Sequence, residues 1–253
     1  MITLCAHSPV RGKLFLAVTD SRTALALKYP STSEVLSMKR KTPLVFGLVL
    51  AAICLSPISA AQTPKPVQLP PPQTDGGRPL MQVLKERKSI REFGPGALSP
   101  QTLCNLLWAA FGINRPDGRR TAPSAMNWQE VSIYVTTREG VYIYDAKANA
   151  LAPVVAGDFR AATGTQPFVK DAAVNLVYVS DLSKTGAAAS PDREMYAAAD
   201  VGFIAQNVYL YCASEGLATV VRGSVDRAAL AKILKLEAKQ KIVLAQSVGY
   251  PKQ

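Results

Sequence analysis

Two guanidinium groups and a hydroxyl fall within five residues at Arg87-Lys88-Ser89-Ile90-Arg91. In an extended chain the side chains of residues 87, 89 and 91 share one side. Guanidinium forks are planar and permanently charged, so this spacing suits phosphate oxygens or a polarised carbonyl. It equally suits a basic helix end that faces the C-terminal dipole and solvent. A second stretch, Arg119-Arg120-Thr121-Ala122-Pro123-Ser124-Ala125-Met126-Asn127-Trp128-Gln129, carries short polar groups at Ser124, Asn127 and Gln129. Such groups can meet the amides and carbonyls of a ligand, or cap an ordinary turn through Asx-type bonds. The third stretch, Gly216 to Gly223, reads Gly-Leu-Ala-Thr-Val-Val-Arg-Gly. Its closing glycine lets backbone N–H groups approach a flat ligand, and it also suits a plain strand–turn–helix joint.

Other chemistries are excluded by what the chain lacks. Its one histidine is His7. Once the N-terminal segment is removed there is no imidazole, hence no Ser–His–Asp or Cys–His mechanism and no His-ligated metal. Of the four cysteines, Cys104 and Cys212 fall in the main domain, without a CxxC or metal spacing. Two buried thiols are expected there, not a disulfide. The net charge of +11 suggests a polyanion partner, but 7 basic and only 2 acidic residues lie at or before Ala61. Later residues show no Lys/Arg block and no aromatic–basic interleaving, so no nucleic-acid partner is expected.

The elements that must position the three stretches follow from periodicity. Leu80 to Lys88 reads as a first helix, with Leu80, Val83 and Leu84 on one stripe. Ser99-Pro100 is a helix start with serine as cap, and Leu103, Leu106, Leu107, Ala110 and Phe111 then recur at helical spacing. Val131 to Thr136 and Val141 to Asp145 alternate as strands around an Arg138-Glu139-Gly140 turn. Ala172 to Val179 is a near-continuous apolar run, as in a central strand. Asp192 to Glu215 reads as a long helix stopped by Gly216. A strand at Ala218 to Val221, a helix at Val225 to Leu234 and a strand at Ile242 to Val248 complete the pattern. The class is α+β with a central mixed β-sheet flanked by helices.

The N-terminal quarter reads differently. Residues 1–37 show no clean periodicity and are taken as a non-native extension, with translation starting at Met38. Residues 38–61 have the form of a signal peptide: Lys39, Arg40 and Lys41, an apolar run from Pro43 to Ile58, and small residues at Ser59-Ala60-Ala61. An uncleaved membrane anchor is the alternative, and the only membrane association expected. Residues 62–78, with five prolines between Pro64 and Pro72, are expected as a polyproline spacer. The folded domain is then 79–253, in the periplasm or secreted.

Taken in order, R-x-S-x-R at a helix exit, a capped helix, a P-S-x-x-N-x-Q loop, a hairpin, a long Ala-rich helix with Gln206-Asn207, and the G-L-A-T-V-V-R-G strand resemble the FMN-dependent nitroreductase family. The resemblance spans about residues 79–251. Arg222-Gly223 and the short loops resemble the branch that includes the thiazole/oxazole-forming dehydrogenases. The resemblance implies a nitroreductase-like fold in an intertwined homodimer. It implies that Arg87 and Ser89, with Lys88 between them, hold the FMN phosphate and ribityl chain. Arg91 would sit at the pyrimidine edge, where a fixed cation favours reduction. Pro123, Ser124, Ala125, Asn127 and Gln129 would reach FMN from the other subunit. The backbone N–H of Gly223 or Arg222 would approach the flavin N5, and Gln166 the pyrimidine side. Family members often carry a basic phosphate clamp after the last strand; here only Lys252 matches, which implies either weaker FMN retention or Arg222 as a compensating cation. No protein acid, base or nucleophile is implied. The activity implied is hydride or electron transfer by a ping-pong route from a donor such as NAD(P)H to a nitroaromatic, quinone or similar small acceptor. A flavin carrier without turnover, or a basic adaptor for polyanions, are the competing readings.

Overall fold

The structure, a computed structural model, describes residues 64–186 and 192–253. The proposed extension at 1–37 and leader at 38–61 lie outside the described residues. In chain order the elements are β1 (Val67–Gln68), α1 (Leu80–Glu86), α2 (Pro100–Phe111), β2 (Val131–Thr136), β3 (Gly140–Asp145), β4 (Ala150–Ala156), β5 (Val174–Asp181), α3 (Arg193–Glu215), β6 (Ala218–Arg222), α4 (Arg227–Ile233) and β7 (Gln240–Gly249). Short 3-10 turns sit at Ala125–Asn127, Arg160–Thr163, Pro167–Lys170 and Leu182–Lys184.

The strands form one sheet in the order β1-β4-β3-β2-β5-β7-β6. The order is mixed: a hairpin meander from β2 to β4 sits beside strands joined through helices, while each described pairing is antiparallel. β5 and β6, linked by α3, run the same way because β7 inserts between them and opposes both. The inner strand β5 is buried along its length except at its last residue. That burial on both faces explains its unbroken apolar sequence.

On one face Leu106, Leu107 and Phe111 of α2 and Ile204 and Val208 of α3 pack on Ile133 and Val135 of β2 and Leu176 and Tyr178 of β5. On the other, Leu230 of α4 and the adjoining Leu234 cover Tyr134, Val177 and Val179. Each fully buried Leu or Ile contributes roughly 1.5–3 kcal/mol. A helix cap contributes about 1 kcal/mol, so packing decides that α2 forms and the cap decides where it starts. Ser99 Oγ accepts from the Thr102 N–H at 3.0 Å, with Pro100 at the first helical position. Gly216, at φ 70°, ends α3 in the left-handed conformation glycine adopts freely.

Two elements differ from the sequence expectation. β4 was not anticipated; it carries Pro153 beside a register shift opposite Val141 and Tyr142, a place where a missing N–H is tolerated. The 62–78 stretch, expected as a free spacer, instead lies against the sheet from β1 onward. β1 pairs with β4, and Leu69 is buried in the main core. Pro70 O accepts from the Asn149 side-chain amide at 2.8 Å and from the Cys104 thiol. The apolar Leu69 among the prolines supplies the burial that anchors this arm.

Candidate functional site

α1 stops at Glu86, and Arg87 leaves the helix at φ −54°, ψ 122°. The next residues are extended alongside β6, with the Ile90 N–H donating to Thr219 O at 2.9 Å. Alternation then sorts the side chains. Ile90 packs toward Phe93, Phe168, Ala218 and Val220. Arg87 and Ser89 turn to Tyr209 of α3, the guanidinium 5.2 Å from the ring centre and the Ser89 hydroxyl 2.7 Å from the phenol oxygen. Lys88, Ser89 and Arg91 are exposed. A crevice of about 380 Å³ opens here, lined by Lys88, Ile90, Tyr209, Gly216, Leu217 and Thr219 among others.

The C-terminal tail returns to the same segment. Phe93 bridges to Pro251, and the Lys252 N–H donates to Glu92 O at 3.2 Å. Lys252 is exposed, and its backbone is tied to the residue that follows Arg91. Gln166 arrives through its loop: the Thr165 N–H donates to Ser224 O at 3.1 Å, next to Gly223. The Gln166 Oε1 is buried without a hydrogen-bond partner among the described residues. Gly223 is exposed, and a side chain there would meet only Leu244, at 3.9 Å. Four of the expected groups thus collect along one sheet edge: residues 87–91, Gln166, Gly223 and Lys252.

Arg222 does not offer its side chain to that edge. It is 4% exposed and donates to Thr163 O at 2.8 Å and Asn175 Oδ1 at 3.1 Å. No carboxylate among the described residues pairs with it. Burial pulls it down to about 10, so it stays cationic at neutral pH. Strand alternation explains the direction: Arg222 follows Ala218 and Val220 onto the inward side of β6. It ties the strand end to the 160–164 turn, and only its backbone can face a ligand beside Gly223. The expectation that the Arg222 side chain compensates for a missing phosphate clamp is corrected accordingly.

The second stretch lies elsewhere within the chain. Met126, Asn127 and Gln129 all have positive φ, at 50°, 55° and 49°, which is strained for residues with side chains. The strain is held by acids. The Ala125 N–H donates to Asp200 Oδ2 at 2.8 Å, and Ser124 bridges the Gln129 N–H at 2.9 Å and Glu130 Oε2 at 3.2 Å. Glu130 is fully buried, and burial first, then the Asp200 carboxylate, raises its pKa. Gln129 Oε1 accepts from Arg120 Nε at 2.8 Å, and the Arg120 guanidinium stacks 5.0 Å from the Phe111 ring. Pro123 and Asn127 are exposed beside a cavity of about 180 Å³ with Arg115, Arg119 and Arg120. Asp200 and Tyr209 are nine residues apart on α3, about 13 Å along the axis. One chain therefore keeps this loop apart from the 87–91 segment.

The sequence reading missed Tyr209, Glu130 and Asp200. Asp200 carried a usable signal, because an acid on the apolar stripe of a helix needs a partner. Glu130, directly before a strand, and Tyr209, one aromatic among several on α3, carried none.

The model of the nitroreductase family matches residues 84–250. A Methanocaldococcus jannaschii protein assigned as a nitroreductase is 31% identical over 168 residues, covering 62% of this chain and 85% of its own. A crystal structure of another assigned nitroreductase, from Ralstonia eutropha JMP134, superposes with a TM-score of 0.72 at 38% identity, covering 78% of this chain and 93% of that one. A third such protein, from Desulfovibrio desulfuricans and crystallised in complex with FMN, shares the fold at 23% identity and TM-score 0.52, covering 70% and 89%.

Proposed function

Because the chain belongs to the nitroreductase family, we propose that it is an FMN-dependent oxidoreductase that passes reducing equivalents from NAD(P)H to a small organic acceptor such as a nitroaromatic or quinone. The observation that carries the reading is the edge along β6 on which the 87–91 segment, Gln166, Gly223 and Lys252 lie. Its free groups fit a flavin mononucleotide. Ser89, Arg91 and Lys252 suit a phosphate-bearing, electron-rich ligand. The orphaned Gln166 oxygen suits a ring N–H, and the bare backbone at Gly223 suits a flat surface. FMN, when bound, supplies the hydride chemistry in both directions. The protein's part is to bind, to orient, and to exclude water. Arg91 places a permanent charge at the site, and no described residue need give or take a proton. A ping-pong exchange at one face follows from this division of labour.

A homodimer is part of the proposal. It would bring the 123–129 loop of a second copy to the 87–91 edge, which one chain does not do. Uncovered apolar side chains support it: Met195, Tyr196 and Phe203 on α3, Leu80, Met81 and Leu84 on α1, and Met126 at 83% exposure. Kinship to the thiazole/oxazole-forming branch rests on Arg222-Gly223 and the short loops. Export rests on the 38–61 leader pattern; among the described residues no helix is long and apolar enough to cross a membrane.

The test is an absorbance spectrum of the purified protein with mass spectrometry of the released ligand. A flavin spectrum bleached by NAD(P)H and restored by a quinone or nitroarene is expected. A yellow protein inert to every acceptor supports a flavin carrier instead. A colourless protein that cannot be reconstituted with FMN overturns both.

A further inference from the structure

Tyr209 is 7% exposed, yet its phenol lies at the centre of the 87–91 segment. The Val221 N–H donates to the phenol oxygen at 2.9 Å, and Ser89 Oγ lies 2.7 Å from the same atom. The two hydroxyls have no other hydrogen-bond partner among the described residues. A backbone N–H can only donate, so the phenol oxygen is already an acceptor. If Ser89 also donated to it, the buried phenol proton would have nowhere to go, and a buried tyrosine hydroxyl is rarely left so. The chain of donors therefore runs one way, from Val221 N–H to Tyr209, and from the Tyr209 O–H to Ser89 Oγ. The Ser89 proton is left over, on an exposed residue. Above the same ring sits the Arg87 guanidinium, held 5.2 Å from its centre by the negative face of the ring.

Resting on the flavin reading, we propose that Tyr209 is a positioning residue that turns Ser89 into an obligate donor and parks Arg87 beside it, so that the segment selects a phosphate ester over an uncharged sugar alcohol. A phosphate oxygen only accepts, and matches a fixed donor and a fixed cation. A ribityl hydroxyl can donate or accept, and does not need the serine proton to point outward. The chain should therefore prefer FMN to riboflavin, and Tyr209 should carry part of that preference.

The test measures FMN and riboflavin dissociation constants, by fluorescence quenching, for the full chain and for Tyr209→Phe, Ser89→Ala and the double variant. Phenylalanine keeps the ring under Arg87 and removes only the hydroxyl. FMN affinity should fall by about tenfold in Tyr209→Phe, the scale of one hydrogen bond, while riboflavin affinity changes less than about twofold. Ser89→Ala, at an exposed position that the fold does not depend on, should lose FMN affinity similarly. The double variant should be no worse than the poorer single one, because both act through one proton. Equal losses for FMN and riboflavin, or losses that add in the double variant, overturn the assignment, since general loosening of α3 against β6 would give both. If the unaltered chain binds FMN and Tyr209→Phe binds it equally well, only the assignment fails. If the unaltered chain binds neither flavin, the flavin reading fails and takes this inference with it.

Discussion

Replacing Glu130 with Gln should make the protein more stable at neutral pH. Glu130 is fully buried at the start of β2, beside Asp200 of α3 and Ser124 of the strained loop. Burial, the largest influence, raises its pKa above the usual 4.5; its own backbone N–H and Ser124 pull it down, and the Asp200 carboxylate pushes it up again. In the unfolded chain the proton leaves near the ordinary value; in the fold it leaves later. Between those two points the folded state binds more protons, so stability falls as pH rises, by up to about 1.4 kcal/mol per pH unit for one proton. Below the unfolded value the effect vanishes, and above the folded value it is constant. Gln keeps the size, keeps an oxygen for the Ser124 hydroxyl, and turns N–H groups toward Asp200 without a titrating proton. Urea unfolding of both proteins from pH 4 to 8 reads the difference directly. The two should agree near pH 4 and diverge in favour of Glu130→Gln as pH rises, each kcal/mol appearing as a shift of about 0.3–1 M in the urea midpoint. Parallel pH profiles would refute the reasoning, and a native protein that gains stability with pH relative to the variant would reverse its sign.

Three further outcomes follow from packing. Ser99→Ala removes the side-chain acceptor of the Thr102 N–H at the start of α2 and should cost about 1 kcal/mol; an unchanged urea midpoint would remove the cap from the account. Gly164→Ala places a methyl group into the Arg222 guanidinium. Displacing Arg222 from Thr163 O should cost about 1.5–3 kcal/mol, the scale of a hydrogen bond to a charged group; a melting point within about 2 °C of the parent, equivalent to about 0.5–1 kcal/mol, would show that Arg222 is not a strut. In a chain with Cys5 and Cys54 replaced by Ser, Cys104 and Cys212 should resist a thiol reagent at pH 8 until denaturant is added. Both are fully buried, and burial pushes both thiols up; rapid labelling of either in the native protein would contradict the packing of α2 and α3.

Local rules made most of the fold legible. Ser99-Pro100 and the stripe after it located α2, the unbroken run marked β5, and Gly216 marked the end of α3. β4 escaped because Ala150-Leu-Ala-Pro-Val-Val-Ala has neither alternation nor a clean β-branched run. It is a strand because β3 and β1 pair with it, and that information is not local. The arm at 67–73 escaped for a related reason. Proline content argues for an extended, unpaired chain, and it is extended, but a two-residue pairing and one buried leucine suffice to fasten it.

The site divides along the same line. Arg87, Ser89, Arg91 and Gly223 could be put forward from the sequence because their chemistry and spacing lie within single short segments. The direction of a side chain on a pleated strand was also legible in principle, since Arg222 shares a face with Ala218 and Val220, and that parity argued against assigning its guanidinium to a ligand. Tyr209 was not legible, because nothing in its own neighbourhood marks it. Its importance comes from three atoms brought from positions 87, 89 and 221, more than 100 residues apart along the chain at the extremes. A motif records which residues can grip an oxyanion; which way a serine proton points is decided by a partner that only the folded helix supplies. The 123–129 loop is alike: Ser124 within it accepts from the Gln129 N–H, but Ser124 and Ala125 are in turn held by Glu130 and Asp200, which lie outside the motif. Substituting within the motifs therefore tests the presence of a ligand, whereas substituting Tyr209 or Glu130 tests how the fold prepares for it.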